Sequence, residues 1–455
     1  MTPVPLNART DAILRRLVRR DATGSLRKVL NKARPEDVAA AMDHLTAAQQ
    51  RFLYAQIADR ELAASVLVCL SDDAVRNITN DMTEERIIDL LEHMEPDDAT
   101  DVVEVLPAGL RERVIAEMQG DKEHADALDL LEWPPDSAGG IMSPVVFKMP
   151  DTASCGNAIT TLQEHHEELE SVFYVYVTDD RERLVGVVSM RQLLVHPPNT
   201  PLMSIMNNEV ISVGPSQDQE EVARYVARYD LLALPVVDEQ GRLMGMVTVD
   251  DVVDVIGDEA AEDMLLMAGV QHDMPDMLGG SAVGLARKRA GWLIANAFGG
   301  IVAATVYGFY EHRIDMAVLA AFVPVVTGIG GNVGIQSTTI AVRGLATGHV
   351  QLGGAAAFVG REARVGALLG LVYGPLVGFM GMFVPNGAPM LGLTVGLSVF
   401  IAIAIGSVLG AGLPVILERL KFDPAVATGP FVTTSVDVMG IVVYFTVALW
   451  ILGPA

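Results

Sequence analysis

Asp437 is the only charged residue between Pro424 and Ala455, in a stretch long enough to cross a bilayer at about 1.5 Å of helix per residue. A carboxylate near the middle of such a span costs at least about 2.5 kcal/mol to insert, so it requires a water-filled path, a cation or a hydrogen-bonding partner. Two chemistries follow. An ionised Asp437 holds a permeating cation; a protonated one is a neutral, hydrogen-bonded group. Thr433 lies one turn earlier, and Asp423-Pro424 and Gly429-Pro430 mark the approach to the span and an interruption of it.

A second stretch supplies oxygen and amide groups. Pro324 is followed by Gly328-Ile329-Gly330-Gly331-Asn332-Val333-Gly334-Ile335-Gln336, and this content predicts a broken helix with backbone exposed toward a cavity. Asn332, Gln336 and Thr339 recur at i, i+4 and i+7 on one face. Carbonyls and side-chain oxygens suit a hard cation that keeps much of its water.

A third group is a run of acids. Asp251, Asp254 and Asp258 are spaced i, i+3, i+7, and Glu259, Glu262 and Asp263 form an adjoining stripe on the same predicted helix. Like charges so close weaken a helix unless cations bind them; a solvated acidic face is the alternative.

The elements that carry these groups divide the chain near residue 280. Of 32 Lys/Arg and 57 Asp/Glu, nine and six lie from Ser281 onward, so a net of −28 belongs to the part before it and +3 to the part after. Such acidity repels nucleic acid and attracts cations. Two cysteines, Cys69 and Cys155, with no CxxC, give neither a disulfide framework nor a zinc site. The N-terminal arginines lack the apolar core of a signal peptide, so the first 280 residues are expected in the cytoplasm.

Apolar windows at about 290–310, 316–342, 364–384, 390–417 and 425–452 predict five spans within residues 283–455. Eight Lys/Arg fall in the proposed inner connections and only Arg313 in the outer ones, which puts the N-terminus inside and the C-terminus outside. Gly366, Gly370, Gly374 and Gly378 recur every four residues on the third span as a ridge for close helix packing. An odd span number without internal duplication favours a pore on a two-fold axis between identical subunits.

Residues 1–130 read as short amphipathic helices with acidic starts (Pro35-Glu36-Asp37, Ser71-Asp72-Asp73, Pro96-Asp97-Asp98), stacked as a superhelix. Then comes a clear repeat, 137–200 and 201–257. Ile141-Met142-Ser143 and Ile205-Met206-Asn207 open the units, and Leu184-Val185-Gly186-Val187-Val188-Ser189 matches Leu243-Met244-Gly245-Met246-Val247-Thr248 near their ends. This resembles a tandem CBS pair, a ligand-sensing α/β module. In that family a Thr-x-x-Asp after the last strand contacts a nucleotide ribose, and Thr248 with Asp251 fits; Ser189 and Gln192 replace the pair in the first unit. The resemblance therefore points to ATP or a related nucleotide.

The order of parts, with Pro324 through Gly330-Gly331-Asn332 to Gln336 and Asp423-Pro424-Ala425 through Gly429-Pro430 to Asp437, resembles the MgtE family of magnesium channels over nearly the whole length. The expected fold is a multi-domain membrane protein: α-helical superhelical N domain, α/β CBS pair, acidic connecting helix (258–282) and five-helix all-α transmembrane domain. The resemblance implies a homodimer in the plasma membrane of a bacterium, lipid and small ions as its other partners, and no enzymatic activity. It implies a pore lined by the second and fifth spans, where Asp437, Asn332, Thr433, Gln336, Gly330 and Gly331 meet hydrated Mg2+. It also implies that cytosolic Mg2+ on Asp251, Asp254, Glu259, Glu262, Asp263, Asp230, Asp98 and Asp101 closes the channel. Broader divalent transport (Co2+, Ni2+, Mn2+) with nucleotide-modulated gating is the alternative. A distant one is an aspartyl intramembrane protease; the spans offer no second acid for its dyad, and Ser435-Val436-Asp437-Val438 lacks the expected glycine motif.

Overall fold

The structure is a computed structural model that describes residues 6–119, 125–166, 169, 172–268, 270, 282–311, 316–383, 389–427 and 430–453. It divides into two compact units, Met1–Gly257 and Asp258–Ala455.

The first unit begins with short helices: α1 (Leu6–Val18), α2 (Thr23–Leu30), α3 (Pro35–Met42), α4 (Ala47–Tyr54), α5 (Arg60–Val68), α6 (Asp72–Thr79), α7 (Glu84–Leu91), α8 (Pro96–Val105), α9 (Ala108–Met118) and α10 (Ala125–Leu130). Proline at the start of α3 and α8 has a preset φ and needs no amide partner there, and the first-turn acids face the positive end of the helix dipole. Odd helices stack on odd (α1, α3, α5, α7, α9) and even on even (α4, α6, α8, α10), so the domain is the expected superhelix. One apolar core runs through it, from Leu14 to Ala127.

The CBS pair follows. In its first repeat β1 (Lys148–Pro150) runs parallel to β2 (Tyr174–Thr178), which pairs antiparallel with β3 (Leu184–Ser189); the repeat's helices are α11 (Cys155–Glu164) and α12 (Met190–Val195). In the second, α13 (Gln219–Tyr229) precedes an antiparallel pair, β4 (Ala233–Val237) and β5 (Leu243–Thr248). The repeats exchange their opening segments. Ser143 bridges to Met246 in the second repeat, and Asn207 to Val187 in the first. A Cβ on Gly245 would lie 2.9 Å from Met142 Sδ, and one on Gly186 2.5 Å from Met206 Sδ. Those two glycines make room for the other repeat's methionine, which accounts for their matching places in the two motifs.

Helix α14 (Val249–Met267) carries the acidic run and continues past Gly257 into the second unit. There α15 (Ala282–Glu311), α16 (Met316–Leu319), α17 (Val323–Ala346), α18 (Ala355–Gly381), α19 (Pro389–Arg419) and α20 (Pro430–Leu452) form an all-α bundle. Among the described residues four segments are long and apolar enough to cross a membrane: Leu293–Tyr310, Leu352–Gly381, Pro389–Arg419 and Phe431–Leu452. Helix α17 has 24 residues and the necessary length, but its glycines and its Asn, Gln, Ser and Thr residues dilute its apolar content.

The expected break in the second span is absent. Helix α17 is continuous through Gly328–Gly334, because Pro324 sits in its first turn, where no amide donor is needed. Pro430 likewise opens α20, after a short 3-10 turn at Pro424–Ala427; Gly429 lies outside the described residues, as does the 271–281 part of the connecting segment. The third span starts earlier than expected, at Ala355.

Candidate ion pathway and acidic sensor

Glycine positions the pathway helix. A Cβ on Gly378 would stand 2.6 Å from Gly392 O and one on Gly374 2.8 Å from Gly396 O, so the expected ridge seats α18 on α19. An adjoining face of α19 holds α17: Gly406 packs on Gly330 O and Gly410 on Gly334 O. A Cβ on Gly334 would also stand 3.2–3.3 Å from Val436 and Val432 of α20. This three-helix seam brings Gly331 beside Asp437, whose Oδ1 lies 3.9 Å from where a Cβ on Gly331 would be.

Asp437 is half-buried, and so is Thr433 one turn away. Asn332, Gln336 and Thr339 are exposed on the neighbouring face of α17. Thr339 Oγ1 donates to Ile335 O at 2.9 Å, which leaves its hydroxyl oxygen an acceptor. Gly330 and Gly331 are buried, and Gly330 is taken up by the α17–α19 contact.

The bundle also contains an acid that the sequence reading left out. Glu362 in α18 is only 5% exposed and accepts a hydrogen bond from Ser337 Oγ of α17 at 3.1 Å, while Arg361 approaches its other oxygen at 3.7 Å. The spans therefore do hold a second acid, contrary to the expectation from sequence. Starting the third span after Arg361 and Arg364 hid it; Phe358 and Val359 just ahead of it were the available signal.

In the first unit the acids of α8 meet the start of α14. Burial, then the neighbouring charges of Asp97, Asp101, Asp251 and Asp250, push Asp98 up to about 7. Asp101 is also raised to about 7, by burial and by Asp97, Glu104, Asp251 and Asp72. Asp97, which sequence reasoning did not single out, is raised to about 6 by burial and by Asp251, and its Oδ1 is buried without a hydrogen-bond partner. Asp254 adds to this field: the nearby Cys69 thiol is pushed up by burial and by Glu36, Asp98 and Asp254. Thr248 Oγ1 donates to Asp251 Oδ2, so the Thr-x-x-Asp motif closes on itself as a cap for α14. Burial raises the Asp251 carboxyl and that bond opposes the rise.

Asp230 ends α13 in the left-handed conformation (φ 51°), exposed, and the described interactions do not tie it to this cluster. In the second unit, burial followed by Asp423 and Glu259 pushes Asp263 up to about 6, against the pull of Arg343. Leu266, one turn on, packs with Val342 and Ala425. The end of α14 therefore lies on the end of α17 and on the turn before α20. Glu262 is exposed at the same level.

Among the described residues no three His, Cys, Asp or Glu side chains converge closely enough to hold a metal by themselves. The donor chemistry still fits a hydrated cation: crowded carboxylates with raised proton affinity and a buried, unpartnered oxygen are what a divalent ion and its waters would relieve.

An acidic superhelix, a ligand-sensing CBS pair and a helical bundle with a carboxylate beside its glycine seam define a regulated membrane transporter of cations. Residues 323–447 match a family described as a divalent cation transporter, residues 33–136 the MgtE intracellular N domain, and residues 138–198 and 202–258 CBS domains. The magnesium transporter MgtE of Thermus thermophilus is 35% identical over 94% of this chain and 95% of its own length. That of Bacillus subtilis is 32% identical over 92% and 95%. A crystal structure of the cytosolic domain of the Mg2+ channel MgtE in complex with ATP is 33% identical and covers 54% of this chain and 99% of that one, with a TM-score of 0.49. The chain belongs to the MgtE family.

Proposed function

We propose that this chain carries Mg2+ through a bacterial plasma membrane as half of a homodimeric, cytosolic-Mg2+-gated channel. One observation carries the reading: a half-buried Asp437 stands against Gly331, and Asn332 and Gln336 are exposed on the helix that carries that glycine. Exposed amides in a membrane span are costly against lipid, so they face water or a second subunit. Five spans, α15 and α17 to α20, put the N-terminus in the cytoplasm and the C-terminus outside. Asp437, Thr433, Asn332 and Gln336 hold the hydrated ion, since Mg2+ sheds water reluctantly. Gly330 and Gly331 keep the two pore helices close. Membrane potential supplies about 4.6 kcal/mol per divalent ion at 100 mV.

Gating follows from the acids. Without Mg2+ the carboxylates of Asp98, Asp101, Asp251 and Asp254 repel one another, and Glu259, Glu262 and Asp263 crowd Asp423. Mg2+ binds only the compact arrangement and shifts the population toward it, and α14 then holds the ends of α17 and α20 closed. Asp230 is the sensor ligand whose placement lends the reading least support. The test is Mg2+ flux into proteoliposomes with internal Mg2+ varied: flux should fall as internal Mg2+ rises, and activation instead would overturn the scheme.

The family description as a divalent cation transporter favours a second reading in which Co2+, Ni2+ or Mn2+ also pass. ATP bound near Thr248 and Asp251 would modulate it. Competition of each ion with Mg2+ flux, and equilibrium ATP binding to the full chain and to Thr248→Val, separate these.

A further inference from the structure

We infer that the inner ends of α17 and α18 form a binding site for an anionic phospholipid. It rests on reading the second unit as a membrane domain. A cleft of about 420 Å³ opens there, lined by His349, Arg361 and Arg364 together with Ile340, Val350 and Phe358. Among the described residues no carboxylate lines it: Glu362 turns one oxygen inward to Ser337, and the other stands 3.7 Å from Arg361, beyond hydrogen-bond length. Arg361 is 60% exposed and lies over the Phe358 ring at 5.1 Å, which fixes its guanidinium at the cleft wall. Arg364 donates Nε to Gly360 O at 3.2 Å, which leaves its two outer nitrogens toward the cleft mouth. His349 Nδ1 is engaged with Thr347 Oγ1 at 2.8 Å, so Nε2 remains as its outward group.

The level of the cleft identifies the occupant. Immediately after Arg364, α18 exposes Val365, Leu368, Leu371, Val372, Leu376 and Phe379 in succession, and the apolar face ends at Phe383. From Val365 to Gly381 is about 24 Å of helix, and Phe383 follows in the turn, so the apolar length approaches the roughly 30 Å hydrocarbon core. Arg361 and Arg364 thus stand at headgroup height. Exposed Ile340 offers the cleft an apolar side wall. A phosphate between two guanidiniums with acyl chains along Val365 and Leu368 satisfies both the charge and the apolar surface; a free phosphate satisfies only the first. Basic pockets between spans on the cytoplasmic side take anionic headgroups for this reason.

The full chain in non-ionic detergent, titrated with dioleoyl phosphatidylglycerol or dioleoyl phosphatidylcholine and read by native mass spectrometry, tests the site. The glycerol lipid should bind at least about tenfold more tightly, and Arg361→Gln with Arg364→Gln should remove that preference. Should the double variant lose its fold, Ala357→Glu decides: it places an acid at the cleft wall with both arginines kept and should also abolish the preference, while Ala356→Glu, exposed outside the cleft, should keep it. Millimolar inorganic phosphate should not displace the lipid. Equal binding of the two lipids, an unaffected Ala357→Glu, or displacement by phosphate would each overturn the proposal, whatever the outcome of the flux measurements.

Discussion

Replacing Asp98 by Asn should stabilise the protein at pH 8 in the absence of Mg2+ and leave it unchanged near pH 4. The carboxyl is raised from 3.8 to about 7, by burial first and by Asp97 and Asp101 next. A raised acid binds protons in the folded state that the unfolded chain has already released. The favourable state is therefore complete below about pH 3.8 and is lost as pH rises through about 7. Three units at about 1.36 kcal/mol each set an upper bound of about 4 kcal/mol. Partial exposure and screening reduce this to roughly 1–2 kcal/mol, or roughly 2–8 °C in melting temperature for a unit of this size. Thermal unfolding of the full chain in detergent with EDTA, followed by resistance to proteolysis within residues 1–257, measures it. Mg2+ at pH 8 should raise the wild type through the same charges by mass action, and should raise Asp98→Asn less. An Asn variant with no gain at pH 8, or with the same gain at pH 4 as at pH 8, would refute both the buried cluster and its role as a cation sensor.

Four further outcomes follow from the geometry. If Asp437 holds the permeating ion as proposed, Asp437→Ala should cut Mg2+ flux in proteoliposomes at least about tenfold with assembly intact. Gly406→Val should destabilise the bundle by about 1–3 kcal/mol and lower flux in parallel, because its Cβ would strike Gly330 O; melting in detergent and flux should fall together. Gly186→Val should cost a similar amount in the CBS pair by displacing Met206, visible as earlier proteolysis there while Gly214→Val, with open space at its Cβ, has a smaller effect. Arg343→Gln removes the cation that opposes the rise of Asp263, so inhibition by internal Mg2+ should shift measurably from wild type in the flux assay.

The parts of the fold legible in the sequence were those that local pattern determines. Acid-first amphipathic segments became the superhelix, and the Leu-x-Gly-x-Val repeats became β3 and β5. The glycine ridge of α18 did meet a neighbouring helix closely. Asp437 was visible because isolation along the chain is a sequence property. What packing decides was not legible. Pro324 reads as a breaker until its place in the first turn of α17 is known, and the exchange of Met142 and Met206 between repeats is a tertiary fact. Glu362 was lost because Arg361 and Arg364 looked like a loop, whereas its carboxylate turns into the bundle and the arginines turn out. Among neighbouring acids, sequence named Asp98 and Asp101; burial adds Asp97 between α8 and α14.

The contact between α17 and α19 has a mechanical character of its own. Gly330 and Gly334 on one helix and Gly406 and Gly410 on the other meet backbone to backbone, with only the small side chains of Ala402 and Thr338 beside them. Interdigitated helices must lift each knob from its hole before they slip, and interlocked cores move in discrete jumps. A glycine seam flanked by side chains as small as Ala402 and Thr338 offers shallower steps. The helix that presents Asn332 and Gln336 therefore meets α19 across shallow relief, and its resistance to sliding lies with α20, whose Val432 and Val436 close on Gly334, and with the Ser337–Glu362 bond to α18.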